Sequence, residues 1–242
     1  MLSKVEHPFY LYSKYCIRHN LCSARGMKLI KIPFIIAFAL AAIAIGASYI
    51  FSLRSEAEPT EYLWYESLQG LHELCRAKHR QSHLYGEYAR HAERDSLPVQ
   101  AAMLRALAFA DGVQCANCRK AIESLGGRFH TPVVQTSALQ DTPTHLHLAL
   151  QAKSAVREGI AQQCLHRAVE EGNRYIARLL TWCDASDIAQ IVILQHVIEA
   201  CDSEPTAPYQ VCPTCGAISN SDLHTAYCPH CMTDRQEFHT FK

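Results

Sequence analysis

Residues 209–231 read YQVCPTCGAISNSDLHTAYCPHC, in which two C-x-x-C pairs, Cys212 with Cys215 and Cys228 with Cys231, stand twelve residues apart. A C-x-x-C segment bends so that two thiolates and several backbone N–H groups face one point, and two such segments complete a tetrahedral four-sulfur site. Cys212, Cys215, Cys228 and Cys231 are therefore the expected ligands of one metal ion. Four-sulfur geometry accepts iron and zinc alike, so the ligands do not choose between them. Iron would make the site a one-electron carrier, and zinc would make it a clasp. Two structural disulfides are the competing reading, favoured if the segment meets oxidant before metal.

The remaining eight cysteines are scattered through the other residues of the 242-residue chain. Lys plus Arg and Asp plus Glu both number 23, so no charge excess points to nucleic acid. Upstream of the knuckles, residues 60–202 read as helix. Apolar residues recur three apart at Leu68, Leu71 and Leu74 and again at Leu104 and Leu107, among good helix formers. Ser67 and Thr142 are expected N-caps, Ser96 with Pro98 opens another helix, and Gly126-Gly127 closes one. The helices then span about 67–94, 97–125, 143–171 and 173–201. Residues 126–141 (GGRFHTPVVQTSALQD) form a long connection between the second and third. Two short-looped hairpins joined by a long middle connection make the ferritin-like kind of four-helix bundle, so the fold class is all-α.

Nearer the N-terminus, Ile32 to Leu53 (IPFIIAFALAAIAIGASYIFSL) is uncharged over 22 residues, close to the length of about 20 that spans a bilayer. Lys28 and Lys31 precede it, with Lys4, Lys14, Arg18 and Arg25 further back, whereas Glu56 and Glu58 follow it. The expectation is a single transmembrane anchor at 32–53, a cytoplasmic segment at 1–31, and the rest on the extracytoplasmic (periplasmic) side. The alternative is a cleaved signal with small residues at Gly46 to Ser48 as its cleavage site. Met27, opening MKLIK, also has the look of a start, which would make residues 1–26 a misassigned extension.

The two hairpins repeat each other. Ser67 precedes Lys78 as Thr142 precedes Lys153, and Asp111-Gly-Val-Gln114 has its counterpart in Asp187-Ile-Ala-Gln190. The offset is 75 at the lysines and 76 at the D-x-x-Q pairs. A slip of one residue is what a π-bulge in the third helix produces.

A bundle at 60–202 followed at 207–242 by Y-x-V-C-P-T-C-G, C-P-H-C and E-F resembles rubrerythrin. The tail likeness lies in Tyr209, the four cysteines, Pro213, Gly216, Pro229 and Phe238. In the bundle it lies in Tyr85-x-x-Tyr88-Ala89 and Glu170-Glu171-Gly172. The resemblance implies a rubredoxin-like C-terminal domain that passes electrons to a bundle whose di-iron centre reduces hydrogen peroxide, and a homodimer. It also implies an inward Glu on the first and third helices and Glu-x-x-His on the second and fourth. Those ligands are missing. The aligned positions are Lys78, Lys153, Asp111-x-x-Gln114 and Asp187-x-x-Gln190, Val156 replaces a further glutamate, and no Glu-x-x-His occurs in the chain.

An ammonium group donates three hydrogen bonds and offers no lone pair, so it repels a cation and pairs with Asp. The expectation is a metal-free polar network of Lys78, Lys153, Asp111 and Asp187, with Gln114 and Gln190 as neutral bridges, in place of a di-iron centre. Other readings are a desolvated lysine acting as base or nucleophile, or one metal on the face of His79, His83 and Glu87. Cys75 lies one turn before Lys78, in the layer of Cys115 and Cys118, so a disulfide from Cys75 to either is expected in an exported domain. Cys164 with Cys183 is a second possibility, Cys201 is unassigned, and a thiol-redox role stays open. Two function classes follow. One is a rubrerythrin-like module with one knuckle metal, serving electron transfer with an unknown redox partner or a structural role. The other is a peroxide-reducing oxidoreductase with a remodelled site.

Overall fold

In this computed structural model the described residues are 64–135, 140–200, 208–219 and 225–242, together with residues 40, 42, 43, 45 and 46. Residues Met1–Glu58 form one unit and Pro59–Lys242 another, and the account below concerns the second. The expected anchor is overturned, and with it the membrane localisation. No helix among the described residues is long and apolar enough to cross a membrane. A spanning helix needs about 20 continuous apolar residues, and only five residues of 32–53 are described. Residues 1–31, Cys201 and, apart from Gly46, the cleavage site of the signal alternative lie outside the described residues.

Four helical runs build the bundle: α1 (Tyr65–Arg94), α2 (Pro98–Ser124), α3 (Thr142–Val156) continuing through a π turn (Arg157–Ala161) into α4 (Gln162–Glu170), and α5 (Arg174–Ala200). The π turn lies in the third run, between Lys153 and Asp187, where the repeat gains its extra residue. An i→i+5 turn absorbs one inserted residue without breaking the helix. The insertion therefore leaves both D-x-x-Q segments facing inward at corresponding depths.

Several expected helix starts are corrected. Ser67 is a buried residue inside α1, whose N-cap position falls on Trp64 and has no side-chain cap of its own. The backbone N–H groups of Glu66 and Ser67 instead donate to Glu171, at 2.9 Å each, from the end of the third run. A carboxylate suits the positive end of the helix dipole, so the two hairpins are clamped at one end of the bundle. Asp141, not Thr142, caps α3 by accepting from the Thr144 N–H at 2.8 Å. Thr142 donates to Asp95 at 2.7 Å. Ser96 sits in the turn before α2, and the cap position falls on Leu97. Gly126-Gly127 does close α2, with both N–H groups returning to its last carbonyls.

Inside the bundle the apolar core is divided. One cluster holds Tyr85, Met103, Leu104, Leu107, Leu146 and Leu194; the other holds Leu71, Leu74, Ile122, Ile176 and Leu180. Between them lie Lys78, Asp111, Lys153 and Asp187, each wholly buried. The C-terminal segment folds as three short antiparallel strands, β1 (Tyr209–Val211), β2 (Ile218–Ser219) and β3 (His239–Phe241), in the order β2-β1-β3. Gln210 pairs with both Ser219 and Thr240. Tyr209, Val211 and Ile218 complete the first bundle cluster, so this sheet is packed onto the helices.

Candidate metal centre and bundle core

The two C-x-x-C segments form matching turns. Cys212 N–H donates to the Ala217 carbonyl and Gly216 N–H returns to Cys212; Cys228 N–H donates to Thr233 and Met232 N–H returns to Cys228. Gly216 and Met232, the residues after each pair, both have positive φ, 77° and 65°. The turns bring the four sulfurs within 4.8 Å of one another. Cys212 and Cys231 Sγ are 3.5 Å apart, as are those of Cys215 and Cys228. A tetrahedral ion with metal–sulfur bonds of about 2.3 Å needs sulfurs about 3.8 Å apart. The donor set and spacing therefore fit one iron or zinc ion. Cys212 is held down at about 4 by the Cys215 thiol and by the backbone N–H groups of Cys215 and Thr214, against the effect of burial. No other group of three His, Cys, Asp or Glu side chains among the described residues converges in this way. That includes His79, His83 and Glu87: His79 meets the Pro132 carbonyl and Glu87 pairs with Arg90.

The bundle core is built from four helical runs that contribute one charge each. Lys78 on α1 donates to both oxygens of Asp187 on α5, at 2.5 and 2.6 Å. Lys153 on α3 donates to both oxygens of Asp111 on α2, at 2.7 Å each. Cross-links of 3.4 Å from Lys78 to Asp111 and 3.2 Å from Lys153 to Asp187 close the ring. Two ammonium groups and two carboxylates cancel, so the desolvated cluster carries no net charge. The Lys153 ammonium also lies 5.5 Å from the centre of the Tyr85 ring, whose hydroxyl donates to the Ala149 carbonyl at 3.3 Å.

Burial alone would push both lysines down. The facing carboxylates outweigh it, Asp187 first for Lys78 and Asp111 first for Lys153, and hold both above the ordinary 10.5. For Asp187 burial acts upward, but Lys153 and Lys78 together hold it below the ordinary 3.8. A lysine held protonated and chelated is no nucleophile at neutral pH. The signs set the pH dependence of stability. The depressed Asp187 stabilises the fold fully above its unfolded value near 3.8, and this is lost as pH falls through its folded value. The raised lysines stabilise fully below 10.5, and this is lost as pH rises through theirs. Urea unfolding across pH should show a plateau between these limits and a fall on either side; a neutral-pH step would contradict it.

The glutamines do not bridge. Neither polar atom of the Gln114 amide has a partner. Gln190 donates to Ser186 at 3.3 Å, away from the ring. The lysine reach makes bridging unnecessary, because each ammonium already spans two carboxylates. Val156 ends α3 and packs beside the second apolar cluster. No expected disulfide is formed among the described bundle cysteines. Cys75 and Cys115 are neighbours with sulfurs 3.6 Å apart, whereas Cys164 donates to the Gly70 carbonyl at 3.0 Å.

Sequence reasoning missed how the knuckle meets the bundle. Ser186 donates to the Gly216 carbonyl at 2.7 Å, and Asn117 donates to the Thr214 carbonyl at 2.7 Å. A Cβ on Gly216 would lie 2.7 Å from the Ala110 carbonyl oxygen and 3.1 Å from Gln114 Cγ. Ala110 and Ser186 immediately precede Asp111 and Asp187, so the first knuckle sits on the backbone that carries both core carboxylates. The only signal in the sequence was Ser186 next to the D-x-x-Q segment. Gly216→Ala combines this clash with a left-handed backbone and should cost about 1–3 kcal/mol. Its readout is faster amide exchange in α2 around Ala110; unchanged exchange and unchanged stability would show the contact to be slack.

Comparison with known proteins finds no matching family profile and no curated protein that matches. Solved structures do match in fold. Nigerythrin, a rubrerythrin solved in mixed-valent and all-ferrous states, aligns with a TM-score of 0.65 (mixed-valent) and 0.66 (all-ferrous) at 17% and 16% identity. Each alignment covers 72% of this chain and 86% of nigerythrin. The Desulfovibrio desulfuricans bacterioferritin, described with a diiron site, aligns at 0.52 with 19% identity over 60% of this chain and 88% of its own. In fold, then, the chain is similar to rubrerythrins: a ferritin-like bundle followed by a four-cysteine cluster that fits a rubredoxin-like knuckle.

Proposed function

We propose that this protein is a rubrerythrin-like module that binds one metal ion, at Cys212, Cys215, Cys228 and Cys231, and that the place of a di-iron centre in its bundle is taken by the Lys78, Lys153, Asp111 and Asp187 ring. The observation that carries the reading is the closure of that ring: both ammonium groups are buried and each contacts both carboxylates. A cation brought to this position would meet two positive charges, and the carboxylates it needs are already engaged. Iron is the metal favoured by the nigerythrin likeness, with zinc as the alternative for the same four sulfurs. Iron there supplies one-electron transfer, and zinc supplies only a fold constraint.

The protein's own part is positioning. Ser186 and Asn117 fix the first knuckle against α2 and α5, so the sulfurs keep one orientation to the bundle. This supports electron transfer with an as yet unidentified partner, or a structural role, ahead of peroxide turnover at a bundle metal. A homodimer is proposed on the rubrerythrin likeness alone. Metal analysis of the purified full chain tests the reading. One metal per chain is expected, with a visible ferric-thiolate spectrum if the metal is iron. About three irons per chain would overturn it.

A further inference from the structure

Apart from the knuckle and the charged ring, α1 and α2 bring two thiols together. Cys75 and Cys115 have sulfurs 3.6 Å apart and both are free. Cys115 reaches the surface, 9% exposed, while Cys75 behind it is fully buried. Cys115 lies in an open pocket of about 280 Å³ that His79, Ser82, Gly112, Arg119 and Phe129 also line. No acidic side chain lines this pocket among the described residues, and Arg119 gives it a permanent positive charge. The other described bundle cysteines, Cys118, Cys164 and Cys183, do not line it.

We propose that Cys115 and Cys75 form a dithiol–disulfide couple that exchanges with small anionic disulfides entering this pocket, Cys115 attacking and Cys75 resolving. The Cys115 thiolate attacks one sulfur of the substrate. A bond to Cys115 Sγ forms, the substrate S–S bond breaks, and one thiolate leaves and takes a proton. Cys75, releasing its proton to solvent, then attacks Cys115 Sγ and expels the second substrate thiol. The two cysteines lose two electrons and two protons, and the substrate disulfide gains both.

The closing step asks side-chain rotation to bring the sulfurs from 3.6 Å to about 2.05 Å. The two thiols are also divided in character. Either sulfur can donate in their contact, and the nearby Arg119 together with access to the pocket favours Cys115 as the thiolate. Burial pushes Cys75 up. A thiolate at the pocket wall with a protonated thiol behind it matches the attacking and resolving roles. The couple is independent of the metal reading, because it uses neither the knuckle nor the ring.

The test uses the reduced, metal-loaded full chain, mixed without oxygen with oxidised glutathione or with neutral bis(2-hydroxyethyl) disulfide, followed by peptide mass mapping. A Cys75–Cys115 link with two thiols released is expected. Cys75→Ser should stop at a mixed disulfide on Cys115, and Cys115→Ser should react at least about tenfold more slowly. Arg119→Gln should slow both probes by raising the Cys115 thiol, and should slow glutathione disulfide several-fold more than the neutral probe. Adducts appearing on Cys118, Cys164 or Cys183 as readily as on Cys115, or a wild-type rate in Cys115→Ser, would overturn the proposal. The mapping of the unsubstituted chain does not depend on any variant folding.

Discussion

Lys153→Met should destabilise the bundle by about 3–5 kcal/mol, a large share of the 5–15 kcal/mol typical of a whole domain. The substitution removes both 2.7 Å contacts to Asp111 and leaves one ammonium, Lys78, between two carboxylates. The desolvated cluster then carries a net negative charge with no water to screen it, since all four side chains are fully buried. Methionine keeps the length and packing of the lysine stem, so the loss reports charge and not a cavity. For a domain of this size the expected fall in Tm is about 10–15 °C. Adding Asp111→Leu to Lys153→Met removes the orphaned carboxylate and should restore most of the stability, as replacing a whole buried ion pair by apolar groups is often neutral. A single variant that loses less than about 1 kcal/mol would mean that the carboxylates do not depend on the ammonium groups, and the metal-free core would fall with it.

Equally large is the effect expected at the other centre. Replacing Cys212 and Cys215 together by serine deletes half of a four-sulfur site whose sulfurs all lie within 4.8 Å. Four-sulfur metal sites in small domains are stabilised by roughly 10–16 kcal/mol of binding, far more than the short strands β1–β3 could replace. Metal content should drop from one per chain to none, and Tyr209, Val211 and Ile218 should lose their packing on the first apolar cluster. The α-helical signal should remain, because the second cluster and the charged ring involve no knuckle residue. Full metal retention in this variant would place the ion elsewhere.

The ring also explains why a helical bundle tolerates so polar a centre. Its two apolar clusters lie on either side of the charges, and the ring itself leaves no ammonium without a carboxylate. The glutamines nearby are less well satisfied: neither polar atom of the Gln114 amide finds a partner, and the Gln190 Oε1 has none either. The backbone of Gly216 covers Gln114 closely.

The sequence by itself determined the knuckle, because its ligands lie two residues apart in each pair and local turns decide where they point. It also carried the expectation of the charged ring, though with glutamine bridges that the structure does not contain. Lys78, Asp111, Lys153 and Asp187 recur at one helical depth in two repeated hairpins, and only opposite charges can be buried together there. The one-residue slip in that repeat even foretold the π turn at Arg157–Ala161. Helix starts were less legible: Ser67 has the chemistry of a cap, but α1 is capped by Glu171, 104 residues away. The apolar stretch at 32–53 suggested an anchor, an inference from hydropathy that no helix among the described residues supports. Only the tertiary structure decided that Gly216 seats the knuckle against Ala110 and Ser186, the residues that precede the two core aspartates, that both glutamines stand outside the ring, and that Cys115 rather than Cys118 faces Cys75. These depend on how helices distant in sequence are turned toward one another. Packing of whole faces settles that rotation, and no local preference encodes it.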